Sequence, residues 1–280
     1  MFLNFLQVIR VRQWHKNILV FAPLFFSGRI VEAELLISVL KVFVLFCLAA
    51  SVVYILNDVW DKEFDKQHPI KKLRPLAAGR VTSQQALGWG LGLVVVALVL
   101  AWSINIEVLS VITLYLVGNL FYSLSLKRIP VVDVLLVALM YILRILAGAY
   151  AVDLSVSVWI LVCTFALALL LVFGKRISEL AHVVNGESRT VIRVYGKQFL
   201  DHALILSATL AIGSYFLYTI STAKTYLVYS SLIVLFVILR YLFLIYHKVN
   251  CERPEELLIK DKQILLAILI WIGYMTMIYY

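Results

Sequence analysis

Residues 57–69, NDVWDKEFDKQHP, hold the densest run of chemically capable side chains in this sequence. Asp58, Asp61, Glu63 and Asp65 stand directly after some twenty mostly apolar residues. On a helix of 3.6 residues per turn, Asp58, Asp61 and Asp65 are spaced i, i+3 and i+7. At 100° per residue, Asp65 returns to within about 20° of Asp58, and Asp61 lies about 60° away. If the helix continues past the membrane surface, the three carboxylates share one face. Like charges at that spacing repel, so a cation must compensate them. Lys62, Lys66 and Lys72 could do so as a solvated juxtamembrane face, yet exposed ion pairs are worth little and need no such alignment. The alternative is Mg2+, a hard cation that takes one or two carboxylates and leaves its other positions to water and substrate phosphates. Asn57 adds a neutral ligand or hydrogen-bond partner. The basic stretch HPIKKLRPLAAGR overlaps and follows the acids. Acid beside base suits a magnesium diphosphate, with acid for the metal and base for the remaining phosphate charge.

The elements that must position these groups are membrane spans. The chain has 280 residues and is 63% hydrophobic, well above the roughly half-apolar composition of soluble domains. Its net charge of +9 would suggest nucleic acid in a soluble protein. In a membrane protein the excess of Lys and Arg first reports orientation and anionic lipid, so no nucleic-acid partner is expected. Hydropathy predicts nine helices, near 16–28, 35–58, 83–104, 107–126, 131–152, 156–174, 199–220, 225–246 and 262–279. The expected fold is an all-α, polytopic bundle forming a single domain over 1–280. The opening segment MFLNFLQVIRVRQWHKN lacks the order of a signal peptide, because its basic residues follow its short apolar stretch.

With the N-terminus in the cytoplasm, 20 of the 25 Lys and Arg residues fall in cytoplasmic segments. That asymmetry predicts nine crossings with the C-terminus outside. The acids cluster at the same cytoplasmic ends, which makes that face the place for chemistry. A transporter would instead place acids at mid-membrane on broken helices. Cys47, Cys163 and Cys251 show neither metal spacing nor a disulfide framework and read as packed thiols. His68, His182, His202 and His247 read as surface histidines. RPEELLIKD reads as an interfacial turn with Pro254 near a helix start and Glu255 and Glu256 in its first turn. Asp133 and Arg144 both fall inside the fifth span, roughly 17 Å apart along one helix, so they do not pair with each other. Each is either functional or pairs elsewhere to hold the bundle together.

NDVWDKEFD resembles the first aspartate motif, N-D-x-x-D-x-x-x-D, of the UbiA superfamily of intramembrane prenyltransferases. RVRQWHKN, Glu63 within the motif, HPIKKLRPLAAG, FYSLSLKRIPVVDV, RILAGAYA, FGKRISEL and RPEELLIKDKQIL resemble its polyprenyl-phosphate phosphoribosyltransferase branch, over nearly the whole chain. Aromatic prenyltransferases of the superfamily carry a second aspartate-rich motif after the sixth span. Here that loop reads GKRISELAHVVNGESR, with Lys175, Arg176 and Glu179 but no aspartate pair.

The resemblance implies a UbiA-like bundle with both active loops cytoplasmic in the cell membrane. The implied reaction moves 5-phosphoribose from phosphoribosyl pyrophosphate to a polyprenyl phosphate and releases pyrophosphate, with a product that feeds cell-envelope arabinose. The alternative is prenyl transfer from a prenyl diphosphate to an aromatic acceptor. Asp58, Asp61 and Asp65 are expected to hold Mg2+ and Asn57 to orient the site. Lys72 and Arg74 are expected to grip phosphate oxygens. Lys16 is expected to meet the lipid phosphate or the sugar's 5-phosphate, and Lys175 and Arg176 to close the pocket from the opposite loop. Lys175 and Glu179, at i and i+4, could equally form an ordinary helix ion pair. Tyr122 and Lys127, near the cytoplasmic end of the fourth span, are further substrate-binding candidates.

Overall fold

The computed structural model describes residues 2–67, 70–181, 190–222, 224–247 and 256–280. His68, His182, Cys251, Pro254 and Glu255 lie outside the described residues. Among the described residues the secondary structure is helical, with no strand. The α-helices are α1 (Phe2–Val8), α2 (Ala22–Phe26), α3 (Ala33–Trp60), α4 (Lys62–Gln67), α5 (Ser83–Ile104) and α6 (Ile106–Leu124). They continue as α7 (Val132–Tyr150), α8 (Val158–Ala181), α9 (Thr190–Ser221), α10 (Ser230–His247), α11 (Leu257–Lys260) and α12 (Lys262–Tyr279). Among the described residues, eight segments are long and apolar enough to cross a membrane. Leu91, Val95, Val99 and Trp102 of α5 are all exposed and recur at helical spacing. Such an apolar stripe belongs against lipid, and the protein is a multi-pass membrane protein.

The ninth expected span, 16–28, takes another form. Val11–Phe21 is a 3-10 helix that runs directly into the five-residue α2. A 3-10 helix rises about 2.0 Å per residue against about 1.5 Å for an α-helix, so the two pieces laid end to end reach about 30 Å. The first half of this segment carries Arg12, Gln13, His15 and Lys16, however, and among the described residues it is not one of the eight long and apolar enough to cross. Two helix starts follow sequence rules. Thr82 and Gln85 form a reciprocal capping box at α5, and the Asp261 carboxylate caps α12 by accepting from Gln263 N and Ile264 N.

Contacts group the chain into two compact units, one of residues 1–124 and 143–156, the other of 125–142 and 157–280. In the first unit α3 packs against the 3-10 segment, α5 and α6. Its middle is apolar all round, and Val39, Val42, Leu45, Phe46, Ala49, Val52 and Ile55 are all buried, as befits a central helix. Below them a smaller cluster of Val8, Ile9, Ile55, Leu76, Val81 and Ala86 ties α1 and the 71–81 loop to α3 and α5. In the second unit α8 packs along α9, and α10 along α12.

Candidate functional site

The helix does not run unbroken through the acidic motif. It closes at Trp60, with Asp61 in a non-helical conformation, and α4 restarts at Lys62. The backbone bonds Asp61 N to Asn57 O and Asp65 N to Asp61 O still carry the chain forward with nearly helical spacing, at 2.9 and 2.8 Å. Asp58 and Asp65 therefore stay on one side, and both are buried, at 2% and 4% exposure. The Arg74 guanidinium joins them: Nη1 donates to Asp58 Oδ1 at 3.1 Å and to Asp65 Oδ2 at 2.6 Å. The two oxygens lie no further apart than those distances laid end to end, about 5.7 Å. The Arg10 guanidinium also donates, through Nη2, to the same Asp58 Oδ1.

Local sequence explains how two arginines reach one carboxylate. Ser51, fully buried on α3, donates to Ile9 O at 2.9 Å and accepts from Trp14 Nε1 at 3.2 Å. These bonds hold the turn after α1 against α3. There Arg10 adopts a left-handed conformation, φ 51°, and lays its guanidinium over the Tyr54 ring at 4.9 Å. From the other side, Pro75 and Leu76 bury beneath α1 and α3. Gly79, at φ 72°, lets the loop turn back so that Arg80 N and Val81 N both reach Pro75 O. Arg74 stands one residue before that anchor. Asn57 Oδ1 accepts from Ser123 Oγ at 2.7 Å, which fixes the amide beside Asp58 against the end of α6.

Further up the same unit, Arg144 Nε donates to buried Asn17 Oδ1 at 2.8 Å and Nη2 to Tyr115 OH at 3.1 Å. Its guanidinium also faces the Phe46 and Tyr115 rings. This node holds the 3-10 segment next to Lys16, which is half-buried.

In the second unit Arg176 departs from expectation. It is 3% exposed, with Nη2 at 2.8 Å from Asp133 Oδ2 and Nη1 donating to Glu179 Oε2 at 2.6 Å. The Tyr195 hydroxyl donates to Asp133 Oδ1 and accepts from Val131 N at 2.6 Å. The partner of Glu179 is thus Arg176 at i+3 spacing, while Lys175 points to the exposed side of α8. Asp133 and Arg144 each pair across helices, not with each other.

The expected site residues are therefore distributed unevenly. Asp58, Asp65 and Arg74 converge, while Asn57, next in sequence to Asp58, is tied to Ser123. Asp61 sits at the helix break, partly buried, and Lys72 is exposed on the same loop. Tyr122 near the end of α6 and Lys127 in the Leu126–Arg128 turn are partly buried. Arg10 was missed by sequence reasoning, although it opens the quoted RVRQWHKN stretch. Among the described residues no group of three His, Cys, Asp or Glu side chains is arranged to hold a metal. The donors that are present still fit a hard cation. They are two buried carboxylates already facing one positive nitrogen. Two carboxylate ligands at about 2.1 Å from Mg2+ need oxygens within about 4.2 Å of each other, a closing of about 1.5 Å at most. Substrate phosphates and water complete such a shell.

A model of the UbiA prenyltransferase family matches residues 19–260. The chain is 34% identical over 286 residues to the decaprenyl-phosphate phosphoribosyltransferase of Mycolicibacterium smegmatis, covering 96% of this chain and 90% of that one. It is 34% identical over 276 residues to the protein of the same name from Mycobacterium tuberculosis H37Rv, covering 95% and 91%. Its fold is similar to that of a UbiA homolog from Archaeoglobus fulgidus, solved bound to GPP and Mg2+, with a TM-score of 0.76 over 99% of both chains and 17% identity.

Proposed function

The chain belongs to the UbiA prenyltransferase family, and from that premise we propose that it transfers 5-phosphoribose from phosphoribosyl pyrophosphate to a polyprenyl phosphate within the membrane. The observation that carries the chemistry is the meeting of Asp58 and Asp65 over one cationic nitrogen, with Arg10 alongside. Carboxylates so placed, with guanidinium groups at hand, suit a substrate that arrives as a metal diphosphate. The full-length likeness to decaprenyl-phosphate phosphoribosyltransferases supports phosphoribosyl pyrophosphate as that diphosphate. The sequence GKRISELAHVVNGESR at and beyond the end of α8 agrees, since it holds no aspartate pair.

In this reading a lipid phosphate oxygen attacks the anomeric carbon of the ribose. The bond from that carbon to pyrophosphate breaks, and pyrophosphate leaves with the electron pair. The nucleophile is ionised at neutral pH, so no general base is required. The protein's task is alignment and stabilisation of charge on the leaving group. Asp58 and Asp65, aided by Asn57 and Asp61, would hold Mg2+, which when bound supplies positive charge to the leaving pyrophosphate. Arg74 presents a planar fork to phosphate oxygens and Lys72 a point charge. Ser123 keeps Asn57 oriented, and Lys16, beside the Asn17–Arg144 bond, meets a phosphate of either substrate. We place the N-terminus and the acidic loop in the cytoplasm of a cell membrane, on the strength of the Lys and Arg asymmetry.

The test is transfer of radiolabel from phosphoribosyl pyrophosphate into the lipid phase by purified protein supplied with polyprenyl phosphate. The expected result is label transfer that needs a divalent metal and is lost in Asp58→Asn, while the variant remains folded in detergent. Absence of lipid-soluble label with wild-type protein, or wild-type rates in Asp58→Asn, would refute the assignment.

A further inference from the structure

The one nitrogen shared by Asp58 and Asp65 leads to a conclusion about order of binding, which rests on the metal reading above. We propose that Arg74 is a stand-in cation: its guanidinium holds the place between Asp58 and Asp65 that the metal takes, and is released to the incoming diphosphate when the metal displaces it. Arg74 Nη1 lies 3.1 and 2.6 Å from the facing oxygens of the two carboxylates. A metal bound between those oxygens competes for the same lone pairs and stands too near the guanidinium for both to remain.

The two arginines have different duties. Arg10 lies over the Tyr54 ring, next to Ile9, whose carbonyl accepts from the Ser51 hydroxyl, and of the two acids it touches only Asp58. It compensates Asp58 in either state. Arg74 bridges both acids, and its side chain is 28% exposed, so it has a way out. Its backbone is anchored by the buried Pro75–Leu76 pair, so the side chain can swing without moving the loop. Without such a cation, Asp65 would lack compensation and the two buried carboxylates, within about 5.7 Å, would repel each other.

The consequence is coupling. Metal alone must evict Arg74 and leave it without an anion, so metal alone binds weakly. Metal arriving with pyrophosphate gives Arg74 new acceptors, so each ligand strengthens the other, and the coupling is reciprocal. The site then selects the metal diphosphate as a unit over its parts.

Mn2+ binding to purified full-length protein, followed by electron paramagnetic resonance without substrate, tests this. If Arg74 fills the position nine-tenths of the time, removing it tightens Mn2+ binding about tenfold. We therefore expect Arg74→Gln to bind Mn2+ about tenfold more tightly than wild type and to lose most of the strengthening by added pyrophosphate. Lys66→Gln removes the same charge next to Asp65 and should change Mn2+ affinity by less than about twofold, since Lys66 pairs with Glu63 on the exposed side. Unchanged or weaker Mn2+ binding in Arg74→Gln, or equal tightening in Lys66→Gln, would overturn the proposal and leave the metal reading standing. Mn2+ binding that survives in Asp58→Asn would overturn both. Should Arg74→Gln fail to fold, phenylglyoxal labelling of wild-type Arg74 gives the same answer. Mn2+ alone should speed labelling and added pyrophosphate should then slow it, whereas labelling indifferent to Mn2+ would overturn the proposal.

Discussion

Gly148 gives the sharpest test of how the 3-10 segment is held. A Cβ built there would stand 1.9 Å from Val20 O, 2.8 Å from its carbonyl carbon and 3.1 Å from its Cα. Carbon and oxygen in contact rest roughly 3.4 Å apart, so Gly148→Ala must part the two backbones by about 1.5 Å. The obstacle is main chain, and Val20, Ala147 and Ala149 are fully buried, so no side chain can turn aside. Overpacking of this kind costs about 1–3 kcal/mol, and the upper end applies to a backbone clash. Arg144, one turn earlier on α7, donates to Asn17, three residues before Val20. A shift of about 1.5 Å also breaks that charged hydrogen bond, adding about 1.5–3 kcal/mol. The expected destabilisation is about 4 kcal/mol, or about 10 °C in the thermal midpoint for a chain of this size. Loss of label transfer should follow, because Lys16 rides on the displaced segment. Gly92 on α5 is the control: nothing lies within 4 Å of its built Cβ. Gly92→Ala should be neutral or stabilising by up to about 1 kcal/mol. Thermal unfolding in detergent, read by size-exclusion fluorescence, compares the two. A Gly148→Ala protein melting within about 2 °C of wild type would refute the close approach.

Two further outcomes can be checked by the same unfolding measurement. Tyr195→Phe deprives Val131 N and Asp133 of the hydroxyl between them, at a cost of about 1–2 kcal/mol; an unchanged midpoint would mean that the hydroxyl is not shared. Asp261 accepts from Arg240, and that bond, with the Gln263 and Ile264 amides, holds its carboxyl below the ordinary value of 3.8. A depressed folded-state value gives stability that is present above the ordinary value and lost as pH falls through the lowered one. The midpoint difference between wild type and Asp261→Asn should thus be full above about pH 4 and close on acidification below it, and a difference independent of pH would contradict the pairing.

Much of the molecule was legible from composition and spacing. The long apolar runs marked the spans, because a lipid environment demands about twenty apolar residues per helix whatever their neighbours. The acid spacing marked Asp58 and Asp65 as sharing a side, which survives the break at Asp61 because the local bonds keep near-helical pitch. The first span misled, because a hydropathy window cannot tell a 3-10 helix from an α-helix. Arg176 and Lys175, adjacent in sequence, read alike as phosphate ligands, but one is buried against Asp133 and the other is exposed.

What the sequence alone determined, then, was which segments lie in lipid and which acids share a helix face, since both follow from local periods of the chain. The partners of the charges were decided by tertiary structure: Arg10 with Asp58 across 48 residues, Arg144 with Asn17 across 127 and Arg176 with Asp133. Apolar spans resemble one another as packing surfaces, so periodicity cannot say which will meet. Only the packed bundle, by withdrawing each cation wholly or partly from water, dictates the polar group that must satisfy it.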